Sequence, residues 1–109
     1  MQNILSDMLT RIRNGQKASL MEVPLFHPTP KFCLKILNLL QKEGFIRGWK
    51  KIIINDKEVI FVLLKYTEFS NPVIKKIYCV SKPGKRVFSK SKSFWKVYNG
   101  NKLIYLFWN

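Results

Sequence analysis

The run Phe45-Ile46-Arg47-Gly48-Trp49-Lys50-Lys51-Ile52-Ile53-Ile54-Asn55-Asp56-Lys57-Glu58-Val59-Ile60-Phe61-Val62-Leu63-Leu64-Lys65-Tyr66 decides the fold. Phe45–Ile54 and Glu58–Tyr66 are rich in β-branched and aromatic residues. The residues between them, Asn55-Asp56-Lys57, carry turn chemistry, so the stretch predicts a hairpin. In its second strand Val59, Phe61 and Leu63 alternate with Ile60, Val62 and Leu64, which makes both faces apolar. Such a strand is central in its sheet and needs helices over at least one side.

Two upstream segments have the period to supply that cover. Asn3 is placed to cap a helix in which Ile4, Leu5, Met8, Leu9 and Ile12 form one apolar stripe. Ser6, Thr10, Arg13, Asn14 and Lys17 fall on the opposite face, with Arg11 at its flank. Gly15 either ends this helix or is tolerated within it at a cost of about 1 kcal/mol. Leu20–Phe26 reads as a short strand, broken by His27-Pro28-Thr29-Pro30. Thr29 as N-cap and Pro30 at the first helical position open a second helix, which Gly44 stops. Its core stripe is Phe32, Cys33, Ile36, Leu37 and Leu40, and Lys31, Lys35, Asn38 and Lys42 line an outer flank. Lysines beside a helix N-terminus make a ready site for anions.

Downstream of the hairpin, Thr67–Pro72 is a connector and Ile74–Val80 an extended run. Ser81-Lys82-Pro83-Gly84-Lys85-Arg86 then reads as a tight turn: Pro83 presets φ and Gly84 supplies the positive φ of a type II turn. With Arg86–Phe88 as the returning strand, the tip presents Ser81, Lys82, Lys85 and Arg86, and the backbone N–H groups about Gly84, to phosphate oxygens. A serine-lysine loop, a short helix near Ser93–Asn99 and a last strand Lys102–Trp108 follow. The fold class is therefore α+β in two small subdomains. Residues 1–68 form an α-β-α-β-β unit, and residues 69–109 a β-rich unit with one short helix.

Composition narrows the function. Twenty Lys and Arg stand against six Asp and Glu, a formal net charge of +14. A chain so charged repels itself unless a polyanion lies against it, which points first to nucleic acid and second to an anionic membrane surface. No apolar run approaches the ~18 residues of a membrane span, and the N-terminus has no signal-peptide pattern. Catalysis has no constellation to work with. His27 is the only histidine, the six acids are scattered singly, and no Gly-rich phosphate loop follows a strand. No cofactor or metal is expected, because Cys33 and Cys79 have neither a zinc nor a redox spacing. Both thiols lie in apolar surroundings and read as buried. Sixteen Lys against four Arg, with Ala18 the one alanine, follow an AT-rich codon bias and suggest an organellar or similarly AT-rich genome, mitochondrial first, with a plastid or the bacterial cytoplasm as alternatives.

Four stretches carry a resemblance. Ser6-Asp7-Met8-Leu9-Thr10-Arg11-Ile12-Arg13-Asn14-Gly15 resembles the N-terminal helix of the bacterial-type small-subunit ribosomal protein S8 family. Lys31, Lys35 and Glu43-Gly44-Phe45-Ile46 match its second helix and exit. Val80–Phe88 resembles its interdomain signature, and Lys96-Val97-Tyr98-Asn99-Gly100 its last helix. The resemblance implies a structural protein that binds small-subunit rRNA in its central domain, early in assembly, with neighbouring small-subunit proteins as further partners. It places Thr10, Arg13, Asn14, Thr29, Lys31 and Lys35 against RNA. Relatives also carry a Ser-Thr-Ser-Lys-Gly loop that this chain lacks. Lys102–Trp108 is then either the strand before that loop, with the rest lost, or the family's terminal strand after an internal deletion. Trp95, Tyr105, Phe107 and Trp108 make an apolar tail that calls for a covering partner, protein or rRNA, with a neighbouring ribosomal protein the expected cover. Simple packing on the hairpin is the alternative, of equal standing for Trp95 and of less for all four. The principal alternative is a free-standing basic RNA-binding regulator or chaperone. A membrane-surface protein and a small nuclease rank below it.

Overall fold

A computed structural model describes residues 2–25, 28–82 and 92–107, with only the backbone described at residues 2, 3, 81, 82, 92, 93 and 107. The chain divides into two compact units, Asn3–Val73 and Ile74–Asn109.

The first unit runs α1 (Gln2–Lys17), β1 (Glu22–Leu25), α2 (Lys31–Lys42), β2 (Ile46–Ile54), β3 (Lys57–Leu64). Its sheet is antiparallel in the order β1-β3-β2, so the strand with two apolar faces is the central one. The hairpin is tighter than the three-residue turn expected: Ile54 pairs with Lys57. Asn55 and Asp56 alone make the turn, at φ 50° and 64°. Two left-handed residues in a row are the type I′ geometry that matches strand twist, and asparagine and aspartate tolerate it. The core joins Leu5, Met8, Leu9 and Ile12 of α1 to Cys33, Leu37 and Leu40 of α2 and to Val59, Ile60, Val62 and Leu64 of β3, all buried. Phe32 and Ile36, expected in the α2 stripe, are half-buried at its border.

Helix boundaries differ by a residue or two from the sequence expectation. Asn3 lies inside α1, which already begins at Gln2. Pro30, not Thr29, is the N-cap of α2. At ψ 155° Pro30 is still extended, while its carbonyl accepts the first helical bonds from Cys33 and Leu34 at 3.0 and 3.2 Å. Helix α1 continues through Gly15 to Lys17. There a Cβ would stand 2.4 Å from Val23 Cγ2 and 3.1 Å from Leu64 Cδ1, so the glycine lets the helix seat on β1 and β3. At the end of α2, Gly44 takes φ +82° and Phe45 N–H closes on Leu40 O at 2.8 Å.

The second unit is an antiparallel sheet of β4 (Lys76–Lys82), β5 (Lys92–Tyr98) and β6 (Leu103–Phe107), in that order. Here the sequence expectation needs correction. Ser93–Asn99 is not a short helix, and Lys96–Asn99 does not continue one; residues 92–98 are the central strand of this sheet. The reason is periodicity: Trp95 and Val97 are buried, while Phe94 and Lys96 are half-exposed and Tyr98 exposed. Ladders on both sides satisfy its backbone, whereas seven isolated residues are too few for a stable helix. Cys79 is exposed rather than buried, because it sits on the edge strand β4, where apolar sequence neighbours guarantee no cover. Of the two readings open for Trp95, packing within its own sheet holds: it is a core residue at 3% exposure.

Candidate nucleic-acid interface

The first unit builds its outward cations on two helix borders. On α1, Asn14 and Lys17 are exposed, and Ser6, Thr10, Arg11 and Arg13 are half-buried. Thr10, Asn14 and Lys17 recur at i, i+4, i+7 and so form a row about 10 Å long. Arg11 is not free to leave the protein: its Nε donates to Asp7 Oδ2 at 2.9 Å, one turn back. Arg13 tucks its Nε into the fold, where it meets no acceptor among the described residues. A guanidinium held that way packs its stem while serving as a cation.

On α2, Lys31 and Lys35 are exposed and one turn apart. Thr29, just before the helix, lines a cleft with Ile4, Asp7 and Met8 of α1, Leu25 of β1, Pro28 and Cys33. The start of α2 therefore abuts the first turns of α1, and the Asp7–Arg11 pair stands where the two helices meet. Asn38, expected beside the lysines, belongs to the α2–β2 seam instead, accepting from Trp49 Nε1 at 2.8 Å.

Two of the acids are used on the sheet. Glu22 holds Lys50 at 3.3 Å and Glu58 holds Lys51 at 3.7 Å, both on the sheet. Among the described residues, Lys17, Lys31 and Lys35 have no acidic partner. Of the turn residues predicted to meet phosphate, Ser81 and Lys82 lie in β4, paired with Ser93 and Lys92, rather than in a turn. Gly84, Lys85 and Arg86 lie outside the described residues, as do the returning strand Arg86–Phe88 and His27. Gln16 passed unremarked in the sequence; it is buried and donates from Nε2 to Lys65 O at 3.2 Å, tying the end of α1 to the residue that follows β3. Its signal was its place on the apolar stripe, one turn after Ile12. No group of three or more His, Cys, Asp or Glu capable of holding a metal occurs among the described residues.

Fold and site define a small basic α+β protein that pairs Asp7, Glu22 and Glu58 with its own cations and turns lysine-bearing helix borders outward. The chain belongs to the ribosomal protein S8 family, whose model matches residues 3–106. That family is structural and ribosomal, not enzymatic. The small ribosomal subunit protein uS8 of Rhodospirillum centenum is 44% identical over 102 residues, covering 88% of this chain and 71% of the relative. That of Erythrobacter litoralis is 43% identical over 100 residues, 92% of this chain and 74% of the relative. That of Rhizobium rhizogenes is 44% identical over 107 residues, 97% and 79% respectively.

Proposed function

We propose that this chain is a structural constituent of the small ribosomal subunit that binds small-subunit rRNA in its central domain and supports its assembly. The observation that carries this reading is the set of exposed lysines without acidic partners on α1 and α2, in a chain of this family. Lys17, Lys31 and Lys35 supply phosphate attraction, and Arg13 adds a partly ordered guanidinium. Thr10, Asn14 and Thr29 supply directional hydrogen bonds to phosphate, 2′-OH or exposed base edges. Arg11 acts through its pair with Asp7, keeping one cation fixed where the helices meet. Lys82, Lys85 and Arg86, with Ser81 and Gly84, make the second unit's contribution to the same binding.

The relatives are bacterial, and a bacterial-type ribosome is the location they support. A mitochondrial origin rests on the AT-rich bias, the divergence and the missing Ser-Thr-Ser-Lys-Gly loop, and the bacterial relatives do not support it. Sedimentation tests the reading against that of a free-standing regulator. The tagged protein is expected to remain with small subunits through a high-salt wash. Quantitative release into the light fractions would overturn the ribosomal assignment.

A further inference from the structure

The second unit holds a surface that this function does not use. Register places Tyr78, Lys96 and Tyr105 side by side across all three strands, with Lys76 and Tyr98 paired one step along. On the opposite face, Ile77, Trp95, Val97 and Leu106 are buried, so the tyrosine row belongs to the outward side. Tyr78, Tyr98 and Tyr105 are 41%, 37% and 50% exposed. Tyr105 and Tyr98 have fixed neighbours. Lys96 Nζ stands 5.6 Å from the Tyr105 ring centre, Phe94 meets the same ring at 5.6 Å and 59°, and the Tyr98 hydroxyl donates to Gly100 O at 3.2 Å.

Charge selects the occupant. Residues 74–109 contain nine Lys and Arg and no Asp or Glu. A second copy of this chain would bring the same charge to the face, and an ordinary protein surface would leave these lysines unanswered. We infer that the outward face of β4-β5-β6 is a stacking platform for unpaired RNA bases. Tyr78 and Tyr105, two strands and so about 10 Å apart, take bases on their rings. Lys76 and Lys96 meet the phosphates between. Exposed aromatics interleaved with cations on an open sheet suit this task, because every base has a π-face and the backbone is uniformly anionic. The cover expected for the aromatic tail is thus single-stranded RNA rather than a neighbouring protein. The inference stands on the sheet alone and does not require the helix-border site.

The test uses the full chain and two fluorescein-labelled octamers of equal phosphate count, oligoadenylate and its abasic counterpart, followed by anisotropy. Stacking is worth roughly 1–3 kcal/mol per base, so two bases give the adenylate at least about tenfold tighter binding. Tyr78→Ala with Tyr105→Ala is expected to erase that difference, and the two Tyr→Phe substitutions to keep it. Should the alanine variant fail to fold, the unsubstituted protein still answers. Adenylate is expected to protect Tyr78 and Tyr105 from nitration, and the abasic octamer to leave them reactive. Equal affinity for the two octamers overturns the inference, as does a dimer in sedimentation that shields the same tyrosines. Loss of folded-rRNA binding with octamer binding intact would remove the ribosomal reading and leave this one standing.

Discussion

At Gly15 two physical preferences oppose each other, and the structure shows which wins. Alanine is the better helix former by about 0.8–1.0 kcal/mol. Yet a methyl there would sit 2.4 Å from Val23 Cγ2, inside the seam between α1 and the sheet. Overpacking a seam costs about 1–3 kcal/mol. With the helix-propensity gain set against it, Gly15→Ala is expected to lower unfolding stability in urea by up to about 2 kcal/mol, and a more stable variant would show that α1 does not seat there. The two thiols diverge in the same way, by their surroundings. Cys33 is fully buried on α2, and burial pushes its thiol up to about 11. It stays protonated and inert across neutral pH, whereas Cys79 is exposed on an edge strand. Iodoacetamide at neutral pH is expected to label Cys79 alone in the folded protein and both cysteines in urea. Prompt labelling of native Cys33 would mean that the α1–α2 core opens.

The second helix carries its charge and its packing on separate faces, which lets one be changed without the other. Lys31 and Lys35 are exposed, while Cys33, Leu37 and Leu40 are buried. Replacing both lysines by alanine is expected to change stability by less than about 0.5 kcal/mol, as at exposed positions generally. The same change should make the salt dependence of rRNA binding shallower by about 1.4–1.8 in log–log slope, two phosphate contacts at 0.7–0.9 each. An unchanged slope would move the interface off α2. The exposure of these faces was legible because a helical period sorts residues without reference to any neighbour. The β2–β3 hairpin was legible for a similar reason, two long β-favouring runs around left-handed-tolerant residues. The Asp7–Arg11 pair was present as i,i+4 spacing, but a wheel shows faces and not which cation is neutralised. Strand β5 was not legible. Ser93–Asn99 suits either state locally, and the decision comes from β4 and β6, at register positions no short window contains. With β5 read as a helix, the tyrosine row could not assemble on paper, so that surface stayed hidden with it.

Across the whole chain, charge is divided unevenly. All six acids lie within residues 1–73, and residues 74–109 carry nine cations against none. The first unit can therefore compensate part of its charge internally, as in the Asp7–Arg11, Lys50–Glu22 and Lys51–Glu58 pairs. The second has no acid with which to do so. Self-repulsion destabilises a compact state, and it is relieved either by screening or by a bound polyanion. Salt should then act with opposite signs on the free protein and on its complex. Raising salt from about 0.01 M to about 0.15 M shortens the screening length from about 30 Å to about 8 Å, which should raise the thermal midpoint of the free protein. The same change should weaken rRNA binding. If about six phosphates are neutralised, log K falls against log salt with a slope of roughly −4 to −5. A protein held together by surface ion pairs would lose stability as salt rises, and one that recognised RNA by shape alone would show a slope near zero. Either result would separate this chain's cations from the work assigned to them, because repulsion in the free state and attraction in the bound state are two readings of one charge distribution.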